Sequence, residues 1–263
     1  MNRIDLTFSR LRKGRRKAFI AFLTAGYPDL SLTGKLVVEF ERQGVDMIEL
    51  GIPFSDPMAD GPVIQESSQA ALKHHVSLMD VLELVRDLRR STQIPLLFMS
   101  YYNPVFRMGE QRFVKEASRA GLDGIIIPDL PPEEGRALIK SAGNAGIHTV
   151  LFAAPTTVPD RLSSIARAAK GFIYYVSVAG VTGARKSLPG DVARRVKAIK
   201  RMTKTPVCVG FGVSSSSQVR QVQAVADGVI VGSSIIKKIR EYINDPRLVS
   251  KTGSYVAALI KGK

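Results

Sequence analysis

Eight short apolar runs, each leading into a segment with helical spacing, constrain this chain more than any other feature of its sequence. They begin near residues 19, 46, 95, 124, 147, 172, 206 and 228. Such alternation predicts parallel strands joined by crossover helices. Eight units in 263 residues match one closed (β/α)8 TIM barrel, which takes about 250, so residues 1–263 read as a single domain. A doubly wound open sheet competes, but no dinucleotide fingerprint follows the first run. Ile4, Phe8 and Leu11 recur at helical spacing before that run and predict an extra N-terminal helix closing the lower end of the barrel. The longest intervals, about 49 and 34 residues, follow runs two and six. They predict long loops after strands 2 and 6, on the rim where barrels carry their sites. A last helix is placed around SYVAALI, past Asp245-Pro246.

The second run, MIEL, holds an acid among apolar residues. Side chains alternate along a strand, so Ile48 and Leu50 face one way and Glu49 the other, into a closed barrel. Burial there disfavours the carboxylate, which predicts a raised pKa suited to proton exchange near neutrality. The bland alternative is a Lys or Arg that neutralises Glu49. Gly51, Pro53, Asp56, Pro57 and Asp60 follow, bringing a second acid to the same rim. Just ahead of Gly61-Pro62 and a helical run, Asp60 could equally be a helix cap.

Two glycine turns, GFGVSSS and GSSI, end runs seven and eight and open helices with small hydroxyl residues. Backbone N–H groups at a helix start favour an anion, and barrels commonly bind phosphate after strands seven and eight. These turns predict a phosphate monoester; alone, each could be a tight strand-to-helix turn. Gly183 after strand six would be a further donor, and Thr182 offers a hydroxyl to a carboxylate across the rim. Phe22, Met99, Tyr101, Ile126, Phe152 and Tyr174 fall at or near strand ends on that rim, where an apolar slot or plain barrel packing would account for them.

Composition narrows the rest. No run approaches the roughly 18 apolar residues of a membrane span, and MNRIDLTFSR lacks a signal-peptide core, so a cytoplasmic protein is expected. Cys208 stands alone in a strand-like run, and His74, His75 and His148 show no ligand spacing, so no metal is implied. The net charge is +15. Its cations concentrate at Arg10, Arg12, Lys13, Arg15, Arg16 and Lys17, and again at Arg194, Arg195, Lys197, Lys200, Arg201 and Lys204. Without an RNA-recognition motif or interleaved aromatics, a solvated outer face is the expected reading and a nucleic-acid partner is not.

The run ELGIPFSDPMADGP closely resembles the signature of the tryptophan synthase alpha subunit family. AFLTAGYPD, SYYNPVF, IPDLPPEE, GVTGAR, GFGVS and GSSI recur along the chain in that family's order. The resemblance covers nearly the whole chain. It implies a lyase that reversibly cleaves indole-3-glycerol phosphate to indole and glyceraldehyde 3-phosphate, with Glu49 carrying protons and Asp60 accepting from the ring nitrogen. By the same resemblance Gly183, Phe211, Gly212, Gly232 and Ser233 hold the phosphate, the six rim residues enclose indole, and Thr182 belongs to a lid. It also implies docking through Pro53, Asp56 and Pro57 onto a beta subunit in an alpha-beta-beta-alpha heterotetramer, with pyridoxal phosphate only in that partner. Another phosphate-binding barrel would be expected to place lysine or histidine at strand ends. A largely noncatalytic activating subunit would not need both acids.

Overall fold

The computed structural model describes residues 1–176, 190–210 and 212–262. Its eight strands form one closed parallel barrel in sequence order. They are β1 (Ala18–Thr24), β2 (Met47–Gly51), β3 (Leu96–Met99), β4 (Gly124–Ile126), β5 (His148–Ala153), β6 (Ile173–Val176), β7 (Val207–Gly210) and β8 (Gly228–Val231). Helix α1 (Arg3–Lys13) precedes them, and α2 (Leu30–Gln43) joins β1 to β2. Two helices, α3 (Pro62–Leu72) and α4 (Leu78–Leu88), follow β2, and two more, α5 (Tyr102–Met108) and α6 (Glu110–Ala120), follow β3. The later strands are joined by α7 (Arg136–Asn144), α8 (Pro159–Ala168), α9 (Gly190–Met202) and α10 (Ser216–Val225). The outer layer closes with α11 (Ser233–Glu241) and α12 (Leu248–Lys261).

The long interval after β2 is therefore mostly helix, and the connection itself spans residues 52–61. Ser77 makes a capping box with Asp80 and starts α4 as a separate element. The segment after β6, with Thr182 and Gly183, and Phe211 after β7 lie outside the described residues. Among the described residues no helix is long and apolar enough to cross a membrane.

Strand alternation sorts the apolar residues into two cores. Outward side chains such as Phe19, Leu23, Ile48, Leu50 and Phe98 pack against the helices, with Leu36, Val37 and Phe40 of α2 and Val81, Leu82 and Val85 of α4 opposite. Inward ones, including Ile20, Met47, Leu97, Ile126, Val150, Phe172 and Ile230, fill the barrel together with Ile4, Phe8 and Leu11 of α1. The Phe8 and Phe172 rings meet edge to face at 6.2 Å. α1 is thus the plug that its spacing predicts.

The lower rim is tied by aspartates immediately before β2, β4 and β8. Asp46, Asp123 and Asp227 accept the backbone N–H of Phe19, Leu96 and Val207 at 3.0, 2.9 and 3.1 Å, binding each strand to its predecessor. Cations complete each site: Arg16 at 3.6 Å from Asp46, Arg3 and Arg89 at 3.0 and 2.6 Å from Asp123, Lys17 and Lys200 at 3.3 and 2.7 Å from Asp227. Asn2 caps α1 and donates to the carbonyls of Asp123 and Gly146, both at 2.8 Å. Polar links of this kind make the lower end a structural base and leave the upper end for chemistry.

Candidate active site

Glu49 lies on β2 beside Phe22 of β1 and Leu97 of β3 in the strand register. It is 0% exposed. Neither carboxylate oxygen has a hydrogen-bond partner, and no cation pairs with it among the described residues. Loss of hydration alone pushes its pKa from 4.5 up to about 8. Neutralisation by a Lys or Arg is thereby excluded for the described part of the chain. At neutral pH the side chain is a buried acid holding its proton.

Asp60 ends the connection from β2, where Gly61 rather than Asp60 occupies the N-cap of α3 and no side chain caps the helix. The carboxylate turns instead to the barrel mouth. Its Oδ2 accepts from the Tyr101 hydroxyl at 3.0 Å, and that hydroxyl accepts the Ala59 N–H at 2.9 Å. Burial raises the Asp60 pKa and the Tyr101 hydrogen bond opposes the rise. Tyr101 is itself placed by two contacts. Phe54 stacks on its ring at 5.1 Å, and Asp129 accepts the N–H of Tyr102 at 2.9 and 3.1 Å at the start of α5. Tyr101, which the sequence places only in the aromatic slot, is thus also the tether of Asp60.

Phe152 and Tyr174 lie ring against ring at 4.7 Å, with Met99 partly buried nearby in the same inner core. Ile126 is fully buried below them as part of the floor. Burial raises the Tyr174 hydroxyl well above its usual pKa, and the charges of Glu49 and Asp60 add to that rise. Both acids therefore act electrically on one tyrosine at one mouth. Glycines leave the room these rings occupy. A Cβ on Gly51 would fall 2.4 Å from the Phe22 ring, one on Gly210 2.6 Å from the Tyr174 hydroxyl, and one on Gly232 3.2 Å from Phe22.

The two glycine turns differ. Ser215 and Gln218 form a capping box at the start of α10, and Gln218 also accepts from the N–H of Ser214 at 2.8 Å, so that helix end is internally satisfied. The S-x-x-Q signature in the sequence carries this information. At α11 the N-cap is Gly232, and no side chain caps the helix among the described residues. Its first residues, Ser233 and Ser234, leave backbone donors suited to an anion. Ser234 Oγ donates to the Val213 carbonyl at 2.8 Å and fixes this turn against the one after β7. Gly212 adopts φ 28°, and a Cβ there would meet nothing within 4 Å.

In the connection after β2, Pro53 and Pro57 are buried, while Asp56 is exposed. Met58 beside them is 83% exposed, and Phe106 on α5 is 65% exposed. The prolines shape the loop, and Asp56 and Met58 lie on its surface.

Among the described residues, a parallel eight-stranded barrel carries a buried unpartnered acid, a second acid tethered at the mouth, packed aromatic rings and a helix end without a side-chain cap, the organisation of a (β/α)8 enzyme. A sequence model of the tryptophan synthase alpha chain family matches residues 8–259. The alpha chain of Geotalea uraniireducens (strain Rf4) is 48% identical over 262 residues, covering 100% of this chain and 98% of that one. Tryptophan synthase subunit alpha from Legionella pneumophila str. Paris superposes with a TM-score of 0.92 at 36% identity, covering 100% of both chains. A tryptophan synthase complex from Pyrococcus furiosus contains a chain matched with a TM-score of 0.85 at 36% identity, over 93% of this chain and 98% of that one. This chain belongs to the tryptophan synthase alpha chain family. Its activity is that of a lyase in tryptophan biosynthesis, cleaving indole-3-glycerol phosphate to indole and glyceraldehyde 3-phosphate.

Proposed function

We propose that Glu49 is the proton carrier of this cleavage and Asp60 the acceptor for the indole ring nitrogen. The observation that carries the assignment is the buried Glu49 carboxyl, without a partner among the described residues, on the same mouth as Asp60. With a pKa of about 8, Glu49 meets the substrate protonated and delivers its proton to indole C3. Positive charge then develops on the ring N–H, and ionised Asp60 stabilises it through the oxygen that Tyr101 leaves open. The Glu49 carboxylate next takes the proton of the adjacent glycerol hydroxyl. As the carbonyl forms, the carbon–carbon bond breaks, its electrons return to the ring, and indole leaves. The proton lent to C3 is matched by the proton recovered from the hydroxyl, so Glu49 ends as it began.

Phe22, Met99, Tyr101, Ile126, Phe152 and Tyr174 would enclose the ring, and Gly212, Gly232 and Ser233 would hold the phosphate. Gly183 and Phe211 extend that site in the proposal, and Thr182 would be its lid contact to Asp60. The beta subunit would dock on the loop with Pro53, Asp56 and Pro57, giving an alpha-beta-beta-alpha assembly in the cytoplasm. Its pyridoxal phosphate would consume indole, while this chain needs no cofactor for the steps above. Exposed Met58 and Phe106 supply the apolar surface such docking requires. Indole release from indole-3-glycerol phosphate, followed with and without a cognate beta chain, tests this reading. Release by the isolated chain, increased by the beta chain in the wild type and at least about tenfold less responsive in Met58→Glu, Phe106→Glu, is the expected result. Absence of release in both conditions defeats the reading.

A further inference from the structure

Two cation-rich segments that lie far apart in the sequence meet at the lower end of the barrel. Lys17, entering β1, and Lys200, near the end of α9, reach the same Oδ1 of Asp227 at 3.3 and 2.7 Å. Next to this junction the chain turns tightly from α1 into β1. Arg16 N–H donates to the Leu11 carbonyl at 2.8 Å, and Arg15 takes φ 52°. Helix-end and strand-entry cations are thereby brought side by side. Arg12, Lys13, Arg15, Arg201 and Lys204, at the ends of these two segments, are all exposed and form no ion pair among the described residues. The acids of this region are already engaged: Asp46 accepts the Phe19 N–H and faces Arg16, and Asp227 accepts the Val207 N–H and two lysines.

We propose that this basic end, opposite the catalytic mouth, binds the phosphate backbone of double-stranded nucleic acid without reading its sequence. Concentrated like charge opposes the compact state unless a polyanion neutralises it. The patch is rich in arginine, whose guanidinium fork fits phosphate oxygens. It has, among the described residues, no exposed aromatic on which single-stranded bases would stack. Among the described residues the exposed large apolar side chains of these segments are Met202, at 44%, Met1 ahead of α1 and Leu6 on it, too few to insert into a bilayer. Phosphate contacts of this kind fix affinity through counterion release and carry no base specificity.

The test is binding of the full chain to a short labelled DNA duplex, read by anisotropy at about 0.05 and 0.2 M salt. The patch variant carries Arg12→Gln, Lys13→Gln, Arg15→Asn, Arg201→Gln and Lys204→Gln, asparagine being chosen to suit the positive φ. A control removes the same number of exposed cations elsewhere, as Lys35→Gln, Lys73→Gln, Arg112→Gln, Lys115→Gln and Lys140→Gln. Wild type and control are expected to bind at low salt and to weaken at least about tenfold at high salt. The patch variant is expected to bind at least about tenfold more weakly at low salt, its logarithmic salt slope shallower by about 0.9 for each phosphate it no longer neutralises. If the five-site variant melts early, Arg201→Gln with Lys204→Gln alone must still weaken binding and flatten the slope. Equal weakening of patch and control variants, no duplex binding at low salt, or tighter retention on phosphatidylserine vesicles than on duplex each overturns the proposal.

Discussion

A carboxyl with no partner among the described residues, buried in an apolar barrel, is a cost to the fold. Glu49 is neutral when folded up to about pH 8 but ionises near 4.5 when unfolded. Between those values the native state binds the extra proton, so stability falls as pH rises and levels off above about 8. Glu49→Gln removes the titration while keeping the shape. It is expected to melt above the wild type at pH 8.5 and to lose that advantage by pH 4.5, the difference amounting to several kcal/mol. A melting difference that does not change with pH would contradict the assigned burial. Tyr101 is the second residue on which the site turns. Tyr101→Phe frees Asp60 Oδ2 and the Ala59 N–H, and cleavage is expected to fall about tenfold in kcat, the scale of one hydrogen bond to a charged group. A change confined to KM would return Tyr101 to the role of slot wall. Glu49 is legible in the sequence because an acid at inward parity in an apolar run must be either neutralised by a partner or put to use. The Asp60–Tyr101 bond is not, since it joins residues 41 apart and each has a bland local reading as cap or core.

At the scale of elements, the strand starts near 46, 95 and 206 differ by one residue from the observed Met47, Leu96 and Val207. Strands of a parallel barrel are buried on both faces, so their apolar runs stand out. The short α5 does not stand out, because a seven-residue helix with Pro104 inside it carries almost no periodicity. α10 and α11 begin with similar glycine and serine runs, and only the Ser215–Gln218 pair tells the capped start from the open one. The elements are held in place from below. Asp123 joins β3, β4, α1 and, through the nearly buried Arg89, the end of α4. Asp123→Ala would leave Arg89 a buried cation without its partner, which typically costs about 3–5 kcal/mol. Denaturant unfolding should show a loss of that order. A loss below about 1 kcal/mol would mean that the lower rim does not depend on this network.

The whole molecule divides its labour between two ends. The lower one is closed by α1 and by aspartate ties, and the upper one gathers two acids, an aromatic slot and an open helix end from β1, β2, β3, β5, β6 and the turns after β7 and β8. That division follows from parallel strands, which bring every strand's C-terminal end to the same rim. It would let residues as far apart as Phe22 and Ser233 serve one small substrate, as proposed. The central claim is that Glu49 moves the proton on which cleavage depends. Indole release from indole-3-glycerol phosphate at saturating substrate, compared between the wild-type chain and folded Glu49→Gln, tests it most directly, with Asp60→Asn alongside. Each variant is expected to be slower by at least about two orders of magnitude. Near-native turnover by folded Glu49→Gln would contradict the claim.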